Sequence, residues 1–279
     1  MDNFFELMNT KISKKFKKIA LRAAQLAGQF LFQEFQKPIS DFNHKGKIEI
    51  VTSADKKAEK IILNLIRKNF PQHRILTEES GEINWQSNSS YLWLIDPLDG
   101  TTNFALRHPL FCVSIALIYK KEVVLGILYA PITRELYLAE KGKGAFLNGQ
   151  RIKVSNRRQL SKTFLSSGYS SKNRDREMIL KIYPPLISKS EHHRDLGSCA
   201  LELAYLAAGR LDGVVILGPR PFDAAAGVLM VEEAGGKVTN FQCKKWAIQD
   251  RYLVASNGLI HQKILQLVHL SFNRYRSGK

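Results

Sequence analysis

Apolar residues recur at helical spacing between Ile12 and Gln36, at Phe16, Ile19, Ala23, Leu26, Ala27, Phe30 and Leu31. The pattern predicts one long helix, closed by Pro38. A second helix is predicted to start near Ser53 in TSADKKAEKIILNLIRKNF, with Thr52 or Ser53 as its cap and Pro71 behind it. RILTEE then reads as a short strand running into acids, and YLWLID as another. FCVSIALIYK and EVVLGILYA are β-rich runs expected to pair. ELYLAEKGKGAFLNGQRIKVS alternates like a hairpin, and Asn148-Gly149 suits a tight turn of positive φ. The pattern changes after Leu160. KTFLSSGY reads as a strand, DREMILKIYPPLI as a helix, and CALELAYLAAGRLDG as a helix stopped by Gly209. The strand VVILG, the helix FDAAAGVLMVEEAGG and a last strand, YLVASN, follow. Strands and helices mixed in this order predict an α/β or α+β fold. We expect a single domain over 1–279, with two closely packed lobes, roughly 1–155 and 156–279.

Composition narrows the class. The chain has 279 residues, of which 44% are apolar and 24% charged, as expected of a globular protein with a substantial core. No apolar stretch has the roughly 18 residues of a membrane span, and the N-terminus lacks the apolar core of a signal peptide. A cytoplasmic protein is expected. Cys112, Cys199 and Cys243 are scattered, odd in number and form no CxxC pair. They read as small buried hydrophobes, not as a disulfide framework or zinc site. Lys plus Arg total 42 against 25 Asp plus Glu, a net charge of +17. Such a surface attracts polyanions: phosphorylated metabolites, nucleic acid or anionic lipid.

The chemistry lies in acids at element ends. Asp55 opens a helix, Glu78 and Glu79 end a strand, Asp96 and Asp99 end another, and Asp223 opens the FDAAAG helix. Junctions of this kind converge on the ligand crevice in layered α/β folds. A single acid at a helix start is usually only a cap. Asp96 and Asp99, which flank Pro97 directly behind the apolar run WLI, cannot both be buried and charged without a cation. Carboxylate oxygens with few His or Cys nearby favour Mg²⁺ over zinc. Behind them, the N–H groups of Gly100, Thr101 and Thr102 are placed to cradle a phosphate. Acids for a metal beside amides for a phosphate point to metal-assisted phosphoester hydrolysis.

Residues 96–104, DPLDGTTNF, resemble the first signature of the inositol monophosphatase family, D-P-[IL]-D-G-T. Phe222-Asp223-Ala224-Ala225-Ala226-Gly227, followed by Glu233-Ala234-Gly235-Gly236, is similar to its second, W-D-x-A-A-G ending in E-A-G-G. Thr77-Glu78-Glu79-Ser80 matches its G/T-E-E-S element, and Thr52-Ser53-Ala54-Asp55 its T-x-x-D element. Gly142-Lys143-Gly144-Ala145 with Asn148-Gly149 fits the family hairpin. The resemblance implies a layered αβαβα sandwich of the inositol monophosphatase and fructose-1,6-bisphosphatase type. It further implies a usual homodimer that hydrolyses small phosphomonoesters with two or three Mg²⁺ ions and is sensitive to Li⁺. By matching position, Glu78, Asp96 and the Leu98 carbonyl would hold the first ion. Asp96, Asp99 and Asp223 would hold the second, and a third, weaker ion would lean on Glu78. Asp55 and Thr101 match the pair that orients and deprotonates the attacking water. The implied substrate contacts are Leu98, Asp99, Gly100, Thr101, Gly197, Ser198, Cys199 and Asp223, with Gly197-Ser198-Cys199 facing the alcohol.

The sequence departs from the family at several positions. Phe222 replaces a tryptophan. Ile216 stands where many members carry an acid that accepts hydrogen bonds from polyol hydroxyls. Arg220 adds a positive charge three residues before Asp223. The resemblance implies an inositol monophosphate or a related polyol or sugar phosphate as substrate, and the departures at Ile216 and Arg220 weigh against inositol itself. The alternatives are a bisphosphate nucleotide, fructose-1,6-bisphosphate or another sugar bisphosphate, and histidinol phosphate. His44, Lys45 and Lys47 all lie where the family has a single lysine. A Walker A reading of Gly144 to Gly149 fails, because Gln150-Arg151 replaces the lysine and hydroxyl residue. His192 and His193 lack a third metal ligand at sensible spacing. The charge also admits an RNA- or ribosome-associated regulatory factor of the same fold, although no RNA-stacking motif or arginine-rich arm accompanies it. Docking to a membrane through KISKKFKKIALR is set aside, because that helix needs its apolar face for the core.

Overall fold

Buried and exposed positions along the chain sort into five layers in the computed structural model. It describes the backbone of residues 2–37, 43–45 and 49–276, and side chains within 14–37 and 52–272. The helices are α1 Asp2–Phe35, α2 Ser53–Asn69, α3 Thr101–Ala105, α4 Asn173–Lys189, α5 Cys199–Ala207, α6 Pro221–Glu233 and α7 His261–Arg276. The strands of the first half are β1 Asn43–Lys45, β2 Glu49–Val51, β3 Arg74–Thr77, β4 Gly81–Ile83, β5 Tyr91–Asp99, β6 Cys112–Tyr119, β7 Glu122–Ala130, β8 Glu135–Glu140, β9 Gly144–Leu147 and β10 Gln150–Ile152. Those of the second half are β11 Phe164–Tyr169, β12 His192–Arg194, β13 Gly213–Leu217, β14 Lys237–Thr239 and β15 Tyr252–Ser256.

The large sheet has the order β10-β9-β8-β7-β6-β5-β3-β4 and the small one β12-β11-β13-β15-β14, while β1 and β2 pair by themselves as an antiparallel ribbon. Both faces of the large and of the small sheet are covered by helices. Trp93, Ile95, Val113, Ile115 and Ile127 point from the large sheet to α1 and α2, where Ala20, Ala23, Ala27, Ile62 and Ile66 meet them. Their neighbours Leu92, Leu94, Ala116, Ile118 and Leu128 point the other way, onto α5 and α6. Those two helices also cover one face of the small sheet, through Val214, Ile216, Leu253 and Ala255. Val215, Leu217 and Val254 face α4 and α7 on its far side. Strands covered on both faces read as unbroken apolar runs, and YLWLI is one. The expected αβαβα sandwich is the observed architecture.

The middle helical layer is packed tightly. A Cβ at Gly126 would stand 2.8 Å from the Ala226 carbonyl oxygen, and one at Gly227 would stand 2.5 Å from Leu203 Cβ. The run Ala224-Ala225-Ala226-Gly227 therefore lets α6 approach both β7 and α5.

Several boundaries differ from the pattern. α1 begins at Asp2, well before Ile12. α7 and the short strands β4, β12 and β14 went unpredicted. α4 runs through Pro184 and Pro185, as predicted, and extends two residues further at each end. The carbonyls these prolines leave without donors belong to Leu180 and Lys181, both exposed to water. The predicted hairpin is a three-stranded ribbon, β8-β9-β10, whose second turn places Asn148 and Gly149 at φ 49° and 81°. The cysteine reading holds fully only for Cys112. Cys199 is half-buried, and Cys243 is exposed at φ 62° in a turn built on Asn240, whose Oδ1 accepts from the Gln242 and Lys244 amides.

Candidate active site

The strand carrying Asp96 does not end there. β5 runs on through Pro97 to Asp99, and its register against β6 shifts between Asp96 and Asp99. A bulge tolerates a residue with no N–H, and the irregularity turns both acids toward one cavity. Asp96 is 2% exposed and Asp99 6%. Asp96 Oδ1 accepts from the Leu98 amide at 2.9 Å. Gly100 follows at φ 91° and caps α3. A Cβ there would stand 2.7 Å from the Leu110 carbonyl oxygen, so only glycine fits this turn. The cavity has a volume of about 460 Å³. Glu78, Asp96, Leu98, Asp99, Gly100 and Thr101 line one side; Gly197, Ser198, Cys199, Ile216, Arg220 and Asp223 line the other.

Asp55 is not on the wall but behind it. It lies on the first turn of α2, where Thr52 is the cap: Thr52 Oγ1 accepts from the Ala54 amide at 3.1 Å, and the Thr52 amide donates to Asp55 Oδ2 at 2.8 Å. Asp55 Oδ1 lies 3.0 Å from Thr101 Oγ1, which is also 2.9 Å from the Leu98 carbonyl oxygen. One hydroxyl thus links Asp55 to the cavity.

Side chains that the sequence reading passed over hold the site segments in place. Glu59, one helical turn after Asp55, is 3% exposed. Its carboxylate accepts from Thr77 Oγ1, from the Glu79 amide at 3.0 Å, from the Ser80 amide at 3.3 Å and from Ser80 Oγ. It therefore fixes the turn that carries Glu78. The available signal was an acid four residues after Asp55, on the apolar face of its helix. Asn103 Nδ2 donates to the Leu110 and Leu196 carbonyls at 2.7 and 2.8 Å, tying β5's turn to the segment before Gly197. Ser198 caps α5 and donates its Oγ to Asp99 Oδ2, which also accepts from the Ala200 amide at 3.0 Å.

Crowding sets the electrostatics. Burial raises the Asp96 carboxyl well above its ordinary range, and the charges of Glu78, Asp99 and Asp223 push it further. Burial, then the charge of Asp99, does the same to Asp223. Asp99 is raised by burial to about 6, against the opposing bonds from Ser198 and Ala200. Asp55 is raised by burial as well. The cation at hand is Arg220, whose Nη1 lies 3.1 Å from Glu78 Oε1. Among the described residues no three acid, His or Cys side chains already converge as a metal cage.

Residues 13–272 match the sequence profile of the inositol monophosphatase family. The chain belongs to this family. It is 44% identical over 225 residues to Nus factor SuhB of Escherichia coli strain K12, covering 80% of this chain and 84% of that protein. It is 39% identical over 269 residues to the inositol-1-monophosphatase of Synechocystis sp., covering 94% and 92%. The crystal structure of extragenic suppressor protein suhB from Bartonella henselae superposes with a TM-score of 0.87 at 37% identity, over 91% of this chain and 98% of that one.

Of the stretches that carry the family resemblance, 96–104, 222–227 and, through Glu78, 77–80 contribute to the cavity. Ile216, at the departure noted above, is 3% exposed on its wall. Arg220 is paired with Glu78 there, a contact with no trace in the spacing of the chain. His193 packs against Tyr183, with Nε2 3.1 Å from Ser167 Oγ, and His192 stacks on Phe164. The side chains of His44, Lys45 and Lys47 lie outside the described residues.

Proposed function

We propose that this protein is a Mg²⁺-dependent hydrolase of small phosphomonoesters. One observation carries the reading: Asp96, Asp99, Asp223 and Glu78 crowd one cavity, where burial and then neighbouring acid charge raise the carboxyls of Asp96 and Asp223, beside an Asp55–Thr101 hydrogen bond. Acidic oxygens with so little compensation suit a hard divalent cation. Glu78, Asp96, the Leu98 carbonyl, Asp99 and Asp223 would hold two or three such ions, once Glu78 leaves Arg220. Bound there, Mg²⁺ supplies charge neutralisation at the phosphoryl group and lowers the pKa of water.

The chain's own residues do the rest. The amides of Gly100 and Thr101 hold the phosphate oxygens. Thr101 Oγ1 orients the attacking water and passes its proton toward Asp55, held in reserve behind it. The water oxygen forms the new P–O bond, the ester P–O bond breaks, and the alcohol leaves toward Gly197, Ser198 and Cys199, taking up a proton. No covalent enzyme intermediate is required. A polyol or sugar monophosphate is the substrate class in view, acted on by a cytoplasmic homodimer. The test is phosphate release from such esters. Activity should require Mg²⁺, vanish in EDTA, fall with Li⁺, and be abolished in Asp96→Asn with the fold retained. Full activity of that variant, or of the wild type in EDTA, would sink the proposal.

A second reading, an RNA-associated regulatory factor, is favoured by the outer helical layer. Lys14, Lys15, Lys18 and Arg22 on α1 and Lys56, Lys57, Lys60, Arg67 and Lys68 on α2 are exposed, whereas the α2 acids Asp55 and Glu59 are buried. Relatives named Nus factor point the same way. RNA binding that weakens steeply with salt would support it, and no binding at low salt would end it.

A further inference from the structure

Glu202 lies on the first turn of α5, and nothing in the reaction above uses it. It is 1% exposed. Oε1 accepts from Ser166 Oγ at 2.7 Å and from the Leu196 amide at 2.9 Å. Oε2 is buried and finds no hydrogen-bond partner among the described residues. A buried carboxyl oxygen with no partner is a costly feature to retain in a core.

Its surroundings indicate where a partner would come from. Glu202 lines the active-site cavity, together with Gly168 and Ile216. Those two residues are directly paired across β11 and β13. A Cβ at position 168 would stand 3.4 Å from Oε2, with no other heavy atom of the surrounding structure within 4 Å. Glycine thus places no side chain against the buried Oε2 on the side of residue 168. Ile216, its strand partner, offers no hydrogen bond of its own. Burial raises Glu202 to about 8, so near neutral pH it keeps its proton. With Oε1 already accepting two bonds, that proton belongs on Oε2, where it can be donated.

We propose that Oε2 of Glu202 hydrogen-bonds a hydroxyl oxygen of the leaving alcohol, admitted past Gly168, and so sets which alcohols the site favours. The inference rests on the phosphomonoesterase reading. It assigns to α5 the polar contact that Ile216 cannot make.

The competing role is purely structural: Glu202 holds Ser166 and Leu196, and Oε2 is incidental. Kinetics with two esters separate the roles. The full chain, in saturating Mg²⁺, is assayed with inositol 1-phosphate, rich in hydroxyls, and with phenyl phosphate, whose alcohol has no second hydroxyl. The readout is the ratio of the two kcat/KM values. Glu202→Leu and Gly168→Ala are each expected to lower that ratio about tenfold or more, the size expected when a buried polar contact is lost. Glu202→Gln, which keeps an acceptor and a donor, should restore most of it. An equal fall on both esters, or an unmoved ratio, overturns the proposal. If Glu202→Leu does not fold, Gly168→Ala decides, because its Cβ makes only ordinary contacts and its φ is not positive. If the wild type cleaves neither ester, the phosphatase reading fails and takes this proposal with it. If it cleaves both and the ratio does not move, only this proposal fails.

Discussion

At the scale of single residues, two acids one turn apart on α2 have different tasks. Asp55 reaches the cavity through Thr101, whereas Glu59 holds the turn at 77–80. Groups that orient ligand-bearing segments typically change metal affinity or activity about 10–100-fold when removed. Glu59→Ala is therefore expected to raise the Mg²⁺ concentration for half-maximal phosphate release about tenfold or more. An unshifted Mg²⁺ curve in a folded variant would show that the turn stands without it. Glu202 gives a second expectation. Its carboxyl rises from an ordinary 4.5 to about 8 on folding. Between those values the folded protein keeps a proton that the unfolded chain has released. The stability this group contributes is thus complete below pH 4.5 and is lost as pH rises through 8. Buried Asp96 and Asp223 act in the same direction. His73, His193 and His261, lowered by burial to about 4, act the other way up to their ordinary 6.5, so melting temperatures measured without Mg²⁺ should fall from pH 7 to pH 8, and less steeply in Glu202→Gln. An identical slope in that variant would contradict the assignment.

At the scale of elements, the motifs divide into chemistry and packing. Asp223 is the part of its signature that lines the cavity, and the small residues behind it are there for proximity. Gly227→Ala would push a methyl group to 2.5 Å from Leu203 Cβ. Overpacking of this kind costs about 1–3 kcal/mol, to be read from urea unfolding, where an unchanged midpoint would refute the tight packing of α5 on α6. Glu233, in the same signature, accepts from the Gly142 and Gly144 amides, both at 2.7 Å, and so clamps the β8–β9 turn to the end of α6. What the chain revealed in advance followed from periodicity and capping. The α1 stripe, Thr52 ahead of α2, the paired β6 and β7, and the Asn148-Gly149 turn were all legible. α7 was passed over, although its buried Ile264, Leu265 and Val268 recur at helical spacing. β5 looked finished at Asp96 because proline ordinarily ends a strand; the register shift that admits Pro97 depends on β6, far along the chain. That Glu78, Asp96, Asp99 and Asp223 would converge on one cavity could be anticipated from the sequence. Arg220 on Glu78 and Ser198 on Asp99 could not, because they join residues separated by 142 and 99 positions.

At the scale of the molecule, charge and layering each have a consequence. The exposed lysines and arginines of α1 and α2 lie on the outermost layer, away from the small sheet. If that face binds RNA, Lys56→Glu with Lys60→Glu should weaken binding and make the dependence of log affinity on log salt shallower by roughly one to two units, with phosphate release unaffected. Equal affinity and slope would remove the face from consideration. The layering bears on how the chain is made. A ribosome that has released residues up to Ile152 has delivered every strand of the large sheet, together with α1 and α2 for one of its faces. The other face, with Leu92, Leu94, Ala116, Ile118 and Leu128, waits for α5 and α6, which end only at Glu233. Throughout that interval the nascent chain carries a broad apolar surface with no cover. The growing protein thus depends on its own later segments, or on a chaperone, to remain out of aggregates, and the cavity with its acids closes only when that cover arrives.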